Sequence, residues 1–139
     1  MSESILTFSD DISNAAPPPL LPVGPYPAEI IGAVKKTSAS SGEEYAAITF
    51  RINADAYPAD FTDGDPDGTT IQYNFLKTAS TPRNNHRWRV FLEKVGGPLG
   101  RSLDLNDLIG LTGTVDISHQ EPNSFSDEAR LNIARILAP

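Results

Sequence analysis

The order of the patterned segments constrains this chain most. Three stretches read as strands, one as a helix, and two more as strands. In 139 residues that order fits one folded domain with a tail, not two. A chain this long removes about two thirds of its unfolded surface from water, so it can hold a real core.

The first strand runs from Tyr26 to Lys36. Tyr26, Ala28, Ile30, Gly32 and Val34 alternate onto one face, and Gly32 in mid-strand predicts a bend or bulge. The second strand, Tyr45 to Asn53, has the clearest period of two. Ala46, Ile48, Phe50 and Ile52 form its core side, while Tyr45, Ala47, Thr49 and Arg51 point the other way. The third, Thr69 to Leu76, puts Ile71, Tyr73 and Phe75 on one side, which makes Tyr73 core. Thr81 then caps a helix whose first residue is Pro82. Trp88, Phe91, Leu92 and Val95 give it one apolar face, Arg83, Arg87 and Lys94 share another, and Gly96-Gly97-Pro98 ends it. Trp88 is expected to pack the helix on the sheet. Asp104 to Ile109 reads as a short helical turn. The fourth strand, Leu111 to His119, alternates Leu111, Gly113, Val115 and Ile117 against Thr112, Thr114, Asp116 and Ser118. The fifth, Glu128 to Leu137, sets Leu131, Ile133 and Leu137 against Arg130, Asn132, Ala134 and Ile136.

This order, β-β-β-α-β-β, is that of an all-β, five-stranded OB-fold barrel with one helix between strands three and four. The open face and end loops of such a barrel bind oligonucleotides or oligosaccharides. The Ser- and Gly-rich segment Thr37 to Glu44 would be the first binding loop. Residues 1–22 read as an acidic, Pro-rich, flexible tail and residues 23–139 as the barrel domain. Within the tail, Ile5 to Ile12 combines acids with apolar anchors. It reads either as a solvated end or a short strand that covers the barrel, or as a docking peptide or a mimic of a polyanion that competes for the barrel's own groove.

The net charge of −7 argues against a polyanion partner until its distribution is considered. Residues 53–68 carry Asp55, Asp60, Asp63, Asp65 and Asp67 and no cation. Residues 77–101 carry Lys77, Arg83, Arg87, Arg89, Lys94 and Arg101 against the single acid Glu93. A polyanion meets that local field rather than the net charge.

Catalytic and metal chemistry find little support. Asp63-Gly64-Asp65-Pro66-Asp67-Gly68 has the opening spacing of a calcium loop. Its twelfth position, which should supply a bidentate Glu, is Asn74 in a strand, and the flanking helices are missing. The two histidines, His86 and His119, have no acidic partners at zinc spacing. There is no G-x-S-x-G elbow and no P-loop, and the glycine-rich Gly96 to Gly100 follows a helix instead of opening one. The expectation is a chain without catalytic residues, metal or cofactor. No run of about 18 apolar residues is present, so no membrane partner is expected. The acidic N-terminus is unlike a signal peptide and cysteine is absent, both of which fit a cytoplasmic setting.

Several of these segments resemble a known family. Leu21-Pro22-Val23-Gly24-Pro25-Tyr26-Pro27-Ala28-Glu29-Ile30 is similar to the "LPxGxYxAxI" start of OB-fold single-stranded DNA-binding proteins from the replication and recombination gene clusters of tailed phages. Tyr45, Ile48, Phe50 and Ile52, then Asn74-Phe75-Leu76, the Trp88 to Val95 helix, and Leu108-Ile109-Gly110 to Val115 follow in the order of that family. The likeness covers residues 20–137 and is mostly structural. The long acidic insert departs from it, as does the lack of an acidic C-terminal tip.

The resemblance implies a non-catalytic single-stranded DNA-binding protein with little sequence specificity, located in the host cytoplasm. Lys35, Lys36, Arg51, Lys77, Arg83 and Arg87 are then the candidates for phosphate contact, and Tyr45 and Phe125 for base stacking. Replication or recombination proteins would dock on the acidic tail, and a second copy of the chain is a further candidate partner. The alternative is a protein-interaction or virion-associated module that binds no nucleic acid.

Overall fold

A computed structural model describes residues 4–9, 11–14, 20–62, 64–120 and 130–137. It contains strands β1 (Gly24–Thr37), β2 (Glu44–Ile52) and β3 (Thr69–Lys77), helix α1 (Pro82–Val95), and strands β4 (Thr112–Gln120) and β5 (Arg130–Leu137). Short 3-10 turns cover Ile12–Asn14, Ala54–Ala56 and Leu105–Leu108. The strands form one antiparallel sheet in the order β3-β2-β1-β4-β5.

β1 holds the sheet together because it is long and bent. Its first half, Gly24 to Glu29, pairs with β4, and its second half, Glu29 to Thr37, pairs with β2. The register shifts between Ile30 and Gly32, where the sequence predicts a bulge. The extra residue reverses the alternation beyond it. Ala33 is therefore buried and Val34 exposed, the opposite of the expected pattern.

The concave side of the sheet encloses the core. Ile30, Ile48, Phe50, Ile52, Val115, Ile117 and Ile133 are fully buried there, with Phe91, Leu92 and Val95 from α1. Each such side chain contributes about 1.5–3 kcal/mol by leaving water. α1 begins and ends as its punctuation predicts. The Thr81 side chain accepts from Asn84 N–H at 3.1 Å, Pro82 follows, and Gly96 closes the helix in the left-handed region at φ 75°. The Trp88 indole N–H donates to the Lys77 carbonyl at 3.0 Å and ties α1 to the end of β3.

Two expectations change. The sheet is not a closed barrel: β3 and β5 are its terminal strands, and among the described residues no ladder joins them. They approach each other, and α1 packs against both. The folded unit also starts before residue 23. Leu21 is only 1% exposed within the core, and its carbonyl lies 2.7 Å from His119 Nε2. Among the described residues, no helix is long and apolar enough to cross a membrane.

Candidate nucleic-acid interface

The two terminal strands each carry a bulge beside the gap between them. In β3, Asn74 and Phe75 together oppose Ala47, because Ile48 pairs with Tyr73 and Ala46 with Leu76. In β5, Ala134 is the extra residue, because Ile117 pairs with Ile133 and Asp116 with Arg135. Each bulge turns the following side chain to the other side of its strand. Leu76 and Ile136 point inward as a result, while Phe75, at 55% exposure, and Arg135 face solvent. The expected grouping of Phe75 with Ile71, and of Ile136 opposite Ile133, fails for this reason.

Between α1, β3 and β5 lies an open groove of about 360 Å³. Tyr73, Phe75, Val90 and Ala134 supply apolar wall, and His86, Arg87, Lys94 and Arg135 supply the polar groups. Arg83, Arg87, Val90 and Lys94 recur at helical spacing on one side of α1, with Arg83 one exposed turn before Arg87. Lys94 Nζ donates to the Ile136 carbonyl at 2.7 Å, satisfying a backbone acceptor near the open edge of β5. Arg135 Nε donates to Asp116 Oδ2 at 3.2 Å across the β4–β5 pair. This pair is exposed and contributes at most about 1 kcal/mol, so the guanidinium can leave it at little cost.

The aromatic wall is supported from behind. Phe75 meets Tyr73 edge-on with ring centroids 5.2 Å apart, and Tyr73 stacks on Phe91 at 5.9 Å with 9° between planes. Phe91 contacts Phe50 and Trp88 edge-on in turn. A flat ligand laid on Phe75 would therefore meet a ring braced by the core. Partial burial pushes the Tyr73 phenol above its ordinary pKa, and the Arg87 charge partly offsets that rise. Tyr73 is thus half-buried at the groove rather than simply core.

Near the N-terminal end of α1 is a depression of about 410 Å³ lined by Glu43, Glu44, Lys77, Thr78, Thr81 and Asn84. Lys77 Nζ sits 2.7 Å from Glu43, and the Thr78 hydroxyl donates to Glu44 Oε1 at 2.7 Å. Lys36 and Lys77 flank Tyr45 in the ladder, so these three form one row across β1, β2 and β3 on the non-core side. Lys35 pairs with Ala46 and is exposed at the rim. The carboxylates of Glu43 and Glu44 make this depression a weaker anion site than the groove.

Arg51 belongs to another part of the molecule. It lies six residues along β2 from Tyr45, about 20 Å away. One of its terminal nitrogens lies 3.6 Å from Glu29, and its Nε is buried without a hydrogen-bond partner among the described residues. Its aliphatic stem packs at Gly68, where the acidic loop rejoins the sheet. A side chain at Gly68 would strike the Ile52 carbonyl, and its φ of +101° favours glycine. That loop is folded, with the Tyr57 hydroxyl 3.0 Å from the Asp65 carbonyl and 2.7 Å from Thr69 Oγ1. Burial, and then the nearby Asp60 charge, push the Tyr26 phenol up. None of the described loop aspartates lines the groove.

Of the residues singled out by sequence, Arg87 lines the groove and Arg83 stands one exposed turn before it on α1, while Lys36, Tyr45 and Lys77 form the neighbouring row. Lys35 stands at the rim of that row, and Arg51 is apart from all of them. Phe125 lies outside the described residues, as does Asp63, the first residue of the calcium-like loop. Phe75, Lys94 and Arg135 complete the groove and were missed as binding residues. For Phe75 and Arg135 the signal was a period of two that breaks late in each strand, where Phe75-Leu76 and Arg135-Ile136 set an apolar residue out of phase. No protein-family model matches the chain, and no curated protein is significantly similar to it.

Proposed function

We propose that the chain is a non-catalytic single-stranded DNA-binding protein of OB-fold type that acts in phage replication or recombination. The strand runs along the groove between α1, β3 and β5. Arg83, Arg87 and Arg135 contact backbone phosphates, and one base stacks on Phe75. Lys36 and Lys77 extend the positive track toward the first loop, with Tyr45 between them. Contacts of this kind read no base edge, which accounts for the low sequence specificity expected.

The observation that supports this reading most is the pair of bulges that bring an aromatic face and a guanidinium out on opposite walls of one groove. Stacking platforms beside a cationic track are the recurring solution for single strands. The OB-fold reading is supported by the β-β-β-α-β-β order, the bent first strand shared by two neighbours, and the helix set against the two terminal strands.

The test is a fluorescence-anisotropy titration with labelled oligo-dT at low and moderate salt. Saturable binding that weakens steeply with salt is expected. Absence of binding at low salt would contradict the proposal and favour a module with a protein partner.

A further inference from the structure

The groove is cationic and apolar, and the chain itself carries a segment of the opposite character. Residues 4–12 read Ser-Ile-Leu-Thr-Phe-Ser-Asp-Asp-Ile, within a stretch of 22 residues that has three acids and no Lys or Arg. Ile5, Leu6, Phe8 and Ile12 are all exposed, and Leu6 reaches 77%. An apolar cluster of this kind beside acids is an unusual tail, since solvation alone would favour polar residues. The Asp11 carboxylate accepts from the Ser13 N–H at 3.0 Å and from the Ser13 hydroxyl at 2.8 Å. These bonds hold its pKa below the ordinary value.

We infer that this segment docks into the chain's own α1–β3–β5 groove and shields it from nucleic acid. Phe8 and a neighbouring apolar side chain cover Phe75 and Val90, while the Asp11 carboxylate meets Arg87 and Arg135. The inference rests on the proposed use of the groove, and it adds the competitor that regulates it.

The geometry allows docking within one molecule. The tail is rooted at Leu21, whose carbonyl lies 2.7 Å from His119 Nε2. His119 pairs with Leu131 on β5, and the groove wall at Ile136 is five residues farther along that strand, about 17 Å. Leu21 is nine positions beyond Ile12, and three consecutive prolines lie among the eight residues between them. At about 3.1 Å per residue, an extended chain of that length reaches about 28 Å. The span is therefore covered with some to spare, and a linked ligand acts at high effective concentration. The exposed segment and the open groove describe the undocked form.

The chain has no cysteine, so Ser9→Cys accepts a single nitroxide label in the full-length protein. The expected result is paramagnetic broadening of backbone amides around Arg87, Val90 and Ala134 at low salt, unchanged on dilution. The double variant Phe8→Ser/Asp11→Asn in the labelled chain should abolish it, and so should Arg87→Glu. The unlabelled Phe8→Ser/Asp11→Asn protein should bind oligo-dT about three- to tenfold more tightly if the docked form is about 70–90% populated. No broadening at low salt would overturn the inference whatever oligo-dT does, and so would broadening that disappears on dilution. Broadening in a chain that binds no oligo-dT would uphold the docking and strike only the nucleic-acid reading.

Discussion

Arg87 and Arg51 are the same residue type on the same small sheet-and-helix unit, in opposite settings. Arg87 stands exposed beside Tyr73 and Phe75, in a groove whose charged lining residues, Arg87, Lys94 and Arg135, are all cationic, with Asp116 paired only to Arg135. Arg51 is half-buried, faces Glu29, and packs its stem at the foot of a loop rich in aspartate. A phosphate approaching Arg87 meets added positive field and an aromatic wall. One approaching Arg51 would displace a carboxylate and meet the loop aspartates. A positively charged side chain becomes a binding group through its neighbours, and the distribution of acids decides which end of the molecule a polyanion can use.

That contrast can be broken at several points. The largest effect concerns what braces the groove. Phe91 links Phe50, Tyr73 and Trp88, and Phe91→Ala should lower unfolding free energy by about 3–5 kcal/mol in denaturant titration. Phe75→Ala, at an exposed position, should leave the denaturation midpoint nearly unchanged.

Charge reversal comes next. Hydrogen bonds to charged groups contribute about 1.5–3 kcal/mol each, so Arg83→Glu with Arg87→Glu should weaken oligo-dT binding at least ~100-fold. Binding that survives this pair intact would move the interface elsewhere.

Phe75→Ala should itself reduce oligo-dT affinity by about 1–3 kcal/mol, the range for one stacked base. Titration of the phenols by ultraviolet absorbance sharpens the comparison further. Tyr73 is an acid whose folded pKa is raised, so its contribution to stability is full below the unfolded tyrosine value and is lost as pH climbs through the folded one. Arg87→Ala should raise the Tyr73 pKa still more, because the charge that offsets burial is gone. The smallest effect is expected at the other end: Arg51→Met should change oligo-dT affinity by less than about twofold, since Arg51 lies about 20 Å along β2 from Tyr45 and faces Glu29.

Much of the fold was legible in the residues, and the reasons are local. Thr81, Pro82, the Trp88 to Val95 apolar side and Gly96 mark both ends of α1 because caps and left-handed glycines act within a few residues. The strands were legible because one side of each is buried. The bulges were not, apart from the one marked by Gly32. At Phe75 and Ala134 no glycine interrupts the run, and continued alternation placed Phe75 with the core and Ile136 on the wrong side. An inserted residue in a strand follows from how two strands meet, which the pattern of one strand does not contain. The site suffered for the same reason. Arg83 and Arg87 were found from local charge, whereas Phe75 and Arg135 become neighbours only when the terminal strands approach each other. Arg51 looked equivalent to Tyr45 because both lie on one side of β2. Distance along the strand, and the return of the acidic loop at Gly68, separate them.

The most direct test of the account is the slope of log affinity for oligo-dT against log salt, measured between about 50 and 200 mM for the unaltered chain, Arg83→Glu/Arg87→Glu and Arg51→Met. Each phosphate contact on a single strand adds about −0.7 to that slope, so the double variant should be shallower by at least about 1.4, while Arg51→Met keeps the original value. A slope that flattens with Arg51→Met and stays the same in the double variant would place the polyanion at the acidic end and contradict the account.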